Sequence, residues 1–283
     1  MSPSVFTDLA QNTPTQVIDY LGVSISIKRL DLIHPHISGN KFFKLKYNIE
    51  YAMQHGDQQI LTFGGAYSNH IAATAFAAHE FGLNSVGIIR GLELQSKPLN
   101  PTLQTAHNFG MQFEFISREQ YRHKEDIEYL NELKQRYPQA YIVPEGGTNA
   151  LAIQGCSEIL TPQDQDFDLI CCAVGTGGTI TGTGRYLKEQ KPGVRVIGIE
   201  PAASPLLSGG KAAPHGLQGM GANFIPATLD RTVYDRVIPV TEAQAYAAAR
   251  QLAQKEGILS GISSGAAVHA ALTLANLPEN RGK

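Results

Sequence analysis

From residue 57 onward, short runs of apolar and β-branched residues alternate with stretches of helical period. That order predicts parallel sheets flanked by helices, an α/β fold. QILTF at 59–63 reads as a strand, followed by a helix from about Ser68 to Phe81 that Gly82 stops. SVGIIR at 85–90 is a second strand, and Asn100-Pro101 opens the next helix with a capping side chain and a proline suited to the first helical position. QFEFI at 112–116 precedes a long polar helix whose start, Ser117 with Gln120, forms a capping box.

The alternation resumes after Tyr137-Pro138 with AYIV at 140–143, a glycine-bearing loop and a helix to about Leu160. FDLICCAV at 167–174 is apolar throughout, the pattern of a strand buried on both faces. GTGGT, a helix ITGTGRYLKEQ and a strand VRVIGIEP at 194–201 follow. Residues 202–232, rich in glycine and proline, read as a loop region beside a site, and Thr241 with Gln244 caps a further helix. ILSGISSG, read as a short strand and turn, leads into a closing helix AAVHAALTLA. The expected architecture is a two-lobed α/β body without sequence repeats.

With 283 residues, 42% of them hydrophobic and 17% charged, the chain needs neither disulfides nor metals to support a core. Lys and Arg number 23 against 25 Asp and Glu, a net charge of −2 that lacks the basic footprint of a nucleic-acid or anionic-membrane binder. The expected partner is a small molecule. No apolar run reaches membrane-spanning length, and MSPSVFTDLAQNTPTQ lacks the features of a signal peptide, so a cytoplasmic location is expected. Cys156, Cys171 and Cys172 form no CxxC and read as free core thiols.

Candidate chemistry begins at Gly175-Thr176-Gly177-Gly178-Thr179, between a strand and a helix. Successive unobstructed N–H groups at a helix N-terminus make an anion site. The dinucleotide fingerprint fails because Ile180 stands where its third glycine belongs, and no lysine completes a P-loop. A short Gly/Thr cup suits one phosphate monoester, such as that of pyridoxal 5'-phosphate (PLP); a turn that simply needs glycine is the competing reading. PLP requires a lysine amine, and Ser38-Gly39-Asn40-Lys41 places one at a helix start, with Lys44 and Lys46 as competitors. A second strand-loop-helix cup, Gly64-Gly65-Ala66-Tyr67-Ser68-Asn69-His70, could hold a substrate carboxylate through its amides and Ser68, while Asn69 donates to the cofactor's phenolate oxygen. The same Ser-Asn-His run also fits an ordinary helix cap.

With these motifs in order, the chain resembles the fold-type II PLP enzymes, the tryptophan synthase β-like superfamily. From about residue 24 to 172, DLIHPHISGNKFFKLKYN and FGGAYSNH resemble the 1-aminocyclopropane-1-carboxylate (ACC) deaminase/D-cysteine desulfhydrase family. From Gly175 onward, GTGGTITGTGRYLKEQKPGVRVIGIEP, LQGMGANFIPATLD and EGILSGISSGAA resemble cysteine synthase. The resemblance implies Lys41 as the Schiff-base lysine, Ser68, Asn69 and His70 as substrate and ring contacts, and Gly175, Thr176, Gly177, Gly178 and Thr179 as the phosphate cup. It also implies a small domain over 46–148, a large PLP-binding domain over 1–45 and 149–283, and a homodimer.

The activity expected first is a PLP-dependent lyase or deaminase acting on a small amino acid, D-cysteine desulfhydrase-like, giving a 2-oxo acid and ammonia. The alternatives are cysteine synthase-like β-replacement on O-acetylserine and PLP binding without turnover. Neither the tyrosines and glutamate of the deaminase branch nor the PxSGERY-like segment of the synthase branch has a counterpart, so no partner for the pyridine nitrogen is assigned. A serine hydrolase reading of Gly261-Ile262-Ser263-Ser264-Gly265 fails, because no Asp follows Ser263 and His269 is the only later histidine.

Overall fold

The computed structural model describes residues 6, 13–20, 23–164 and 166–280. Most of the segment read for a leader, and the last three residues, lie outside that range. The strands are β1 (Thr15–Tyr20), β2 (Val23–Lys28), β3 (Gln59–Gly65), β4 (Asn84–Arg90), β5 (Gln112–Ile116), β6 (Ala140–Val143), β7 (Leu169–Ala173), β8 (Arg195–Pro201) and β9 (Arg236–Val240). The α-helices are α1 (Asn40–Gln54), α2 (Asn69–Glu80), α3 (Pro101–Asn108), α4 (Arg118–Arg122), α5 (Ile127–Arg136), α6 (Ala150–Ser157), α7 (Gly178–Gln190), α8 (Glu242–Glu256) and α9 (Ile262–Ala275). Two compact units result, Met1–Asn12 with Ile33–Gly155, and Thr13–Leu32 with Cys156–Lys283. They divide at 32/33 and 155/156, whereas the sequence reading places its boundaries at 45/46 and 148/149.

In the first unit, β5-β4-β3-β6 form a parallel sheet. The interior strands β3 and β4 are buried except at their ends, as continuous apolar runs require. Leu61, Phe63, Val86 and Ile88 pack with Tyr121 and Leu133 on one face, while Ile89 packs with Ile71, Ala75, Leu103 and Ala106 on the other. Ser68, Asn100 and Ser117 cap their helices through side-chain hydrogen bonds. The single polar helix expected after Ser117 is two, α4 and α5. The chain turns at 123–126, where the Lys124 ammonium lies 5.4 Å over the Tyr121 ring and 3.4 Å from Glu145.

In the second unit, β7-β8-β9 form a parallel sheet, and β1 and β2 an antiparallel hairpin that the alternation from residue 57 does not cover. The strand expected to be buried on both faces, β7, is half-buried along its length. Among the described residues it is an edge strand, paired only with β8. Its Leu169, Cys171 and Ala173 back onto Ile197, Ile199, Ala266 and Ala270, and burial pushes the Cys171 thiol up to about 12. Among the described residues the three cysteines form no disulfide. Helices α8 and α9 approach closely at Gly265, where a Cβ would lie 2.3 Å from the Ala245 carbonyl oxygen. Among the described residues no helix is long and apolar enough to cross a membrane.

Asp164 ties the hairpin to this unit. It accepts from Lys28 at 2.8 Å and from the Thr161 N–H and hydroxyl, each at 2.8 Å. Burial pushes the Asp164 pKa up, but these donors outweigh it and hold the carboxyl below its ordinary value. A depressed folded-state pKa contributes stability above the unfolded value near 3.9, and that contribution is lost as pH falls through the folded value. Asp164→Asn is expected to cost about 3 kcal/mol at neutral pH, because it strands Lys28. In urea unfolding the deficit should shrink below about pH 4; an equal deficit at every pH would show that the carboxylate charge is not involved.

Candidate active site

The first functional cluster forms around one carbonyl. Lys41 is the second residue of α1, and its Nζ donates to the Gly146 oxygen at 3.2 Å. Lys44, almost one turn further on and only 2% exposed, donates to the same oxygen at 3.1 Å and to the Thr148 hydroxyl at 2.7 Å. Gly146 and Gly147 present that carbonyl with φ of 67° and 74°, conformations that favour glycine. Gly147 also leaves room for His70, whose Cε1 would lie 2.9 Å from a Cβ there.

His70 is buried, with Nε2 2.8 Å from the Thr62 oxygen. The Thr62 hydroxyl donates to the Val143 carbonyl at 2.8 Å, so Nε2 carries the ring hydrogen and donates to Thr62. Burial, then the charges of Lys41 and Lys44, holds the His70 pKa well below its ordinary value and the ring neutral. The contact expected of His70 is therefore not one its side chain is exposed to make. Its ring forms the wall beneath the Gly146-Gly147 turn. Lys46 is buried elsewhere on α1, its ammonium 4.9 Å over the Tyr47 ring.

The serine loop belongs to the same unit. Ser68 caps α2 by accepting from the Ile71 N–H at 3.4 Å, which leaves its own O–H to donate outward. A Cβ on Gly64 would stand 2.5 Å from Ile71 Cγ1 and 2.9 Å from Ser68 Oγ, so the close approach of loop and helix requires glycine. Asn100 both caps α3 and donates to the Ala66 carbonyl at 2.9 Å, pinning the loop from a neighbouring helix. Ser68 is half-buried and Asn69 exposed.

The glycine cup lies in the second unit. Gly177 caps α7 with φ 81°, and a Cβ there would lie 2.9 Å from Leu229 Cβ; one on Gly175 would lie 3.0 Å from the Gly219 oxygen. A turn at 226–230 braces the cup. Thr228 donates to the Thr176 carbonyl at 3.3 Å, and the Thr181 hydroxyl donates to Thr228 O and accepts from Asp230 N. The first amides of α7 have no acceptor within the helix and sit at its positive end.

A small cavity beside the cup is lined by Val174, Gly175, Glu200, Ser204, Gly221 and Asn223 among others. Buried Glu200 accepts from the N–H groups of Leu207 and Ser208, and Asn223, with φ 61°, accepts from Ser204 at 2.8 Å. Sequence reasoning missed Glu200, Ser204 and Asn223 as well as Thr62 and Thr148, and it weighed Lys44 only as a competitor of Lys41. Asn223 after Gly221-Ala222 was the one local hint, since Asn tolerates the left-handed region.

The remaining motif, Gly261 to Gly265, is not a nucleophile elbow. Residues 257–261 form no strand, and Ser263 lies in the first turn of α9 facing Gly219, where a Cβ would be 3.3 Å from its Oγ. Among the described residues no group of three His, Cys, Asp or Glu side chains could hold a metal ion.

A hydrogen sulfide-producing enzyme of Fusobacterium nucleatum is 27% identical with a TM-score of 0.79, covering 97% of this chain and 93% of that one. A cysteine synthase of Entamoeba histolytica is 27% identical with a TM-score of 0.77, covering 97% and 84%. O-ureido-L-serine synthase is 25% identical with a TM-score of 0.80, covering 97% and 87%. The cysteine synthase of Staphylococcus aureus is 49% identical over 110 residues, 39% of this chain and 36% of that protein. The match thus spans little more than a third of that relative's length. The family described as pyridoxal-phosphate dependent enzyme matches residues 7–283, and this chain belongs to it.

Proposed function

We propose that this PLP-dependent fold-type II enzyme catalyses β-replacement on an O-acylated serine, with sulfide as nucleophile and cysteine as product. The observation that carries the reading is the 49% identity to a cysteine synthase over 110 residues. The solved cysteine synthase at 27% identity supports it. These likenesses favour replacement over the D-cysteine desulfhydrase-like elimination expected first from the lysine and serine segments.

The residues present fit the cofactor. The amides at the N-terminus of α7, which have no acceptor within the helix, suit a phosphate, with Thr176 and Thr179 beside them, while packing against Gly219 and Leu229 requires glycine at 175 and 177. Lys41 would hold the aldehyde through its amine, and Asn69 would donate to the phenolate oxygen. When bound, PLP supplies an electrophile for the substrate's amine and a ring that accepts the electron pair left by the α-proton. Lys41 would be the base for that proton, and the Gly146 carbonyl is placed to orient its ammonium. The Ser68 hydroxyl and the amides of its loop bind the substrate carboxylate and fix the α-carbon against the base. Neutral His70 keeps the turn and the loop in register.

Supplying O-acetyl-L-serine with sulfide to the holoenzyme is expected to give mainly cysteine. Predominant pyruvate would restore the elimination reading, and neither product would leave PLP binding without turnover. Ser68→Ala should lower kcat/KM about a hundredfold, the scale of a lost positioning contact, with PLP content unchanged. Gly177→Ala should weaken PLP retention on dialysis more than about tenfold, because the new Cβ meets Leu229 at a positive φ. Gly193→Ala, with nothing within 4 Å of its Cβ, should not. Equal retention in the two variants would remove the cup from the assignment.

A further inference from the structure

The packed face of the first unit's sheet ends in a cation. Leu61 and Phe63 on β3 lie beside Val86 and Ile88 on β4, and the next residues outward on that face are Gly65 and Arg90, which are register partners. Because Gly65 has no side chain, the Arg90 guanidinium occupies the space beside it, with Nη2 3.4 Å from where a Cβ would stand. Gly65 opens the loop that carries Ser68. Arg90 is thus held against the backbone of the candidate substrate loop, at the carboxyl edge of a parallel sheet, where ligands bind in open α/β folds.

The guanidinium is braced but not neutralised. Its central carbon lies 5.5 Å from the ring centre of Tyr121, and burial, then Glu145, pushes the Tyr121 pKa up and keeps the phenol neutral. The carboxylates of the surrounding elements serve other cations, Glu93 pairing with Arg118 at 2.9 Å and Glu145 with Lys124 at 3.4 Å. Among the described residues the Arg90 side chain makes no hydrogen bond or ion pair, and Arg90 is exposed. Two apolar side chains close to Gly65 and Arg90 in sequence are also open to solvent, Tyr67 at 64% and Leu92 at 50%. An arginine fork held over a fixed ring, with its side-chain N–H groups unspent, suits a planar carboxylate.

We propose that Arg90 forms a subsite for a second carboxylate, one distinct from the α-carboxylate held by the Ser68 loop. The subsite selects substrates that carry an additional acidic group. The inference rests on the replacement reading above only for what the acidic group is attached to. A carboxylate can arrive on the acyl leaving group of the amino acid or on a thiol nucleophile, and both present the same planar anion to the guanidinium.

Binding is tested apart from turnover, by isothermal titration of the PLP-loaded enzyme with succinate and with mercaptoacetate. Both should bind, and Arg90→Gln should weaken them about tenfold or more, with Arg90→Lys intermediate because it keeps charge without the fork. Arg231→Gln, an exposed change of equal charge, should leave affinity unaltered. Kinetics then distinguish the sources. O-succinyl-L-serine with sulfide loses KM selectively in Arg90→Gln if the group is on the amino acid, and mercaptoacetate against 2-mercaptoethanol does so if it is on the thiol. Equal affinity in wild type and Arg90→Gln overturns the subsite. Failure of cysteine formation with intact, Arg90-dependent binding overturns only the replacement reading.

Discussion

The carbonyl oxygen of Gly146 is the constraint around which the first unit's candidate chemistry is arranged. It receives two ammonium groups, and they are not equivalent. Lys44 is buried and also bonded to Thr148, so its charge is committed to holding the turn. Lys41 lies in the first turn of α1 and is half-buried where Lys44 is buried. The turn can present its oxygen this way only because two consecutive glycines adopt positive φ and because His70 fills the space beneath the second. A chain of contacts therefore joins the end of β6, through Thr62 and His70, to the start of α2 and the serine loop. Moving any one member would displace Lys41 and the Ser68 loop, the proposed base and carboxylate site, together.

Glycine recurs in the candidate motifs for three separate physical reasons. At Gly64 a helix and its own cap must come within contact distance; at Gly177 a left-handed residue must pack against Leu229; at Gly65 an absent side chain makes room for a guanidinium. The sequence reading took both glycine runs as cups for anions and foresaw none of these three contacts. Backbone glycines read as one signal in sequence but do three jobs in space.

The parallel strands, the caps at Ser68, Asn100, Ser117 and Thr241 and the helix after GTGGT were legible because each rests on local chemistry. What escaped depended on partners distant in sequence. Lys44 reads as one of three similar lysines until Gly146 and Thr148, over 100 residues away, are brought to it. His70 sits next to Asn69 in the chain but turns into the interior, where Thr62 waits. The uniform apolarity of 167–174 suggested burial on two faces, yet apolarity alone does not reveal that β7 has a single strand neighbour among the described residues. Ser263 satisfies a hydrolase motif whose last glycine is explained by the contact of α8 with α9.

The division of labour between Lys41 and Lys44 is the central claim, and reductive trapping reads it directly. Borohydride treatment of the PLP-loaded protein followed by peptide mapping is expected to place the pyridoxyl group on Lys41 alone. Recovery of the label on Lys44, Lys46 or Lys211 would contradict the account, because the lysine read as structural support, or one outside the cluster, would then be the one that carries the cofactor.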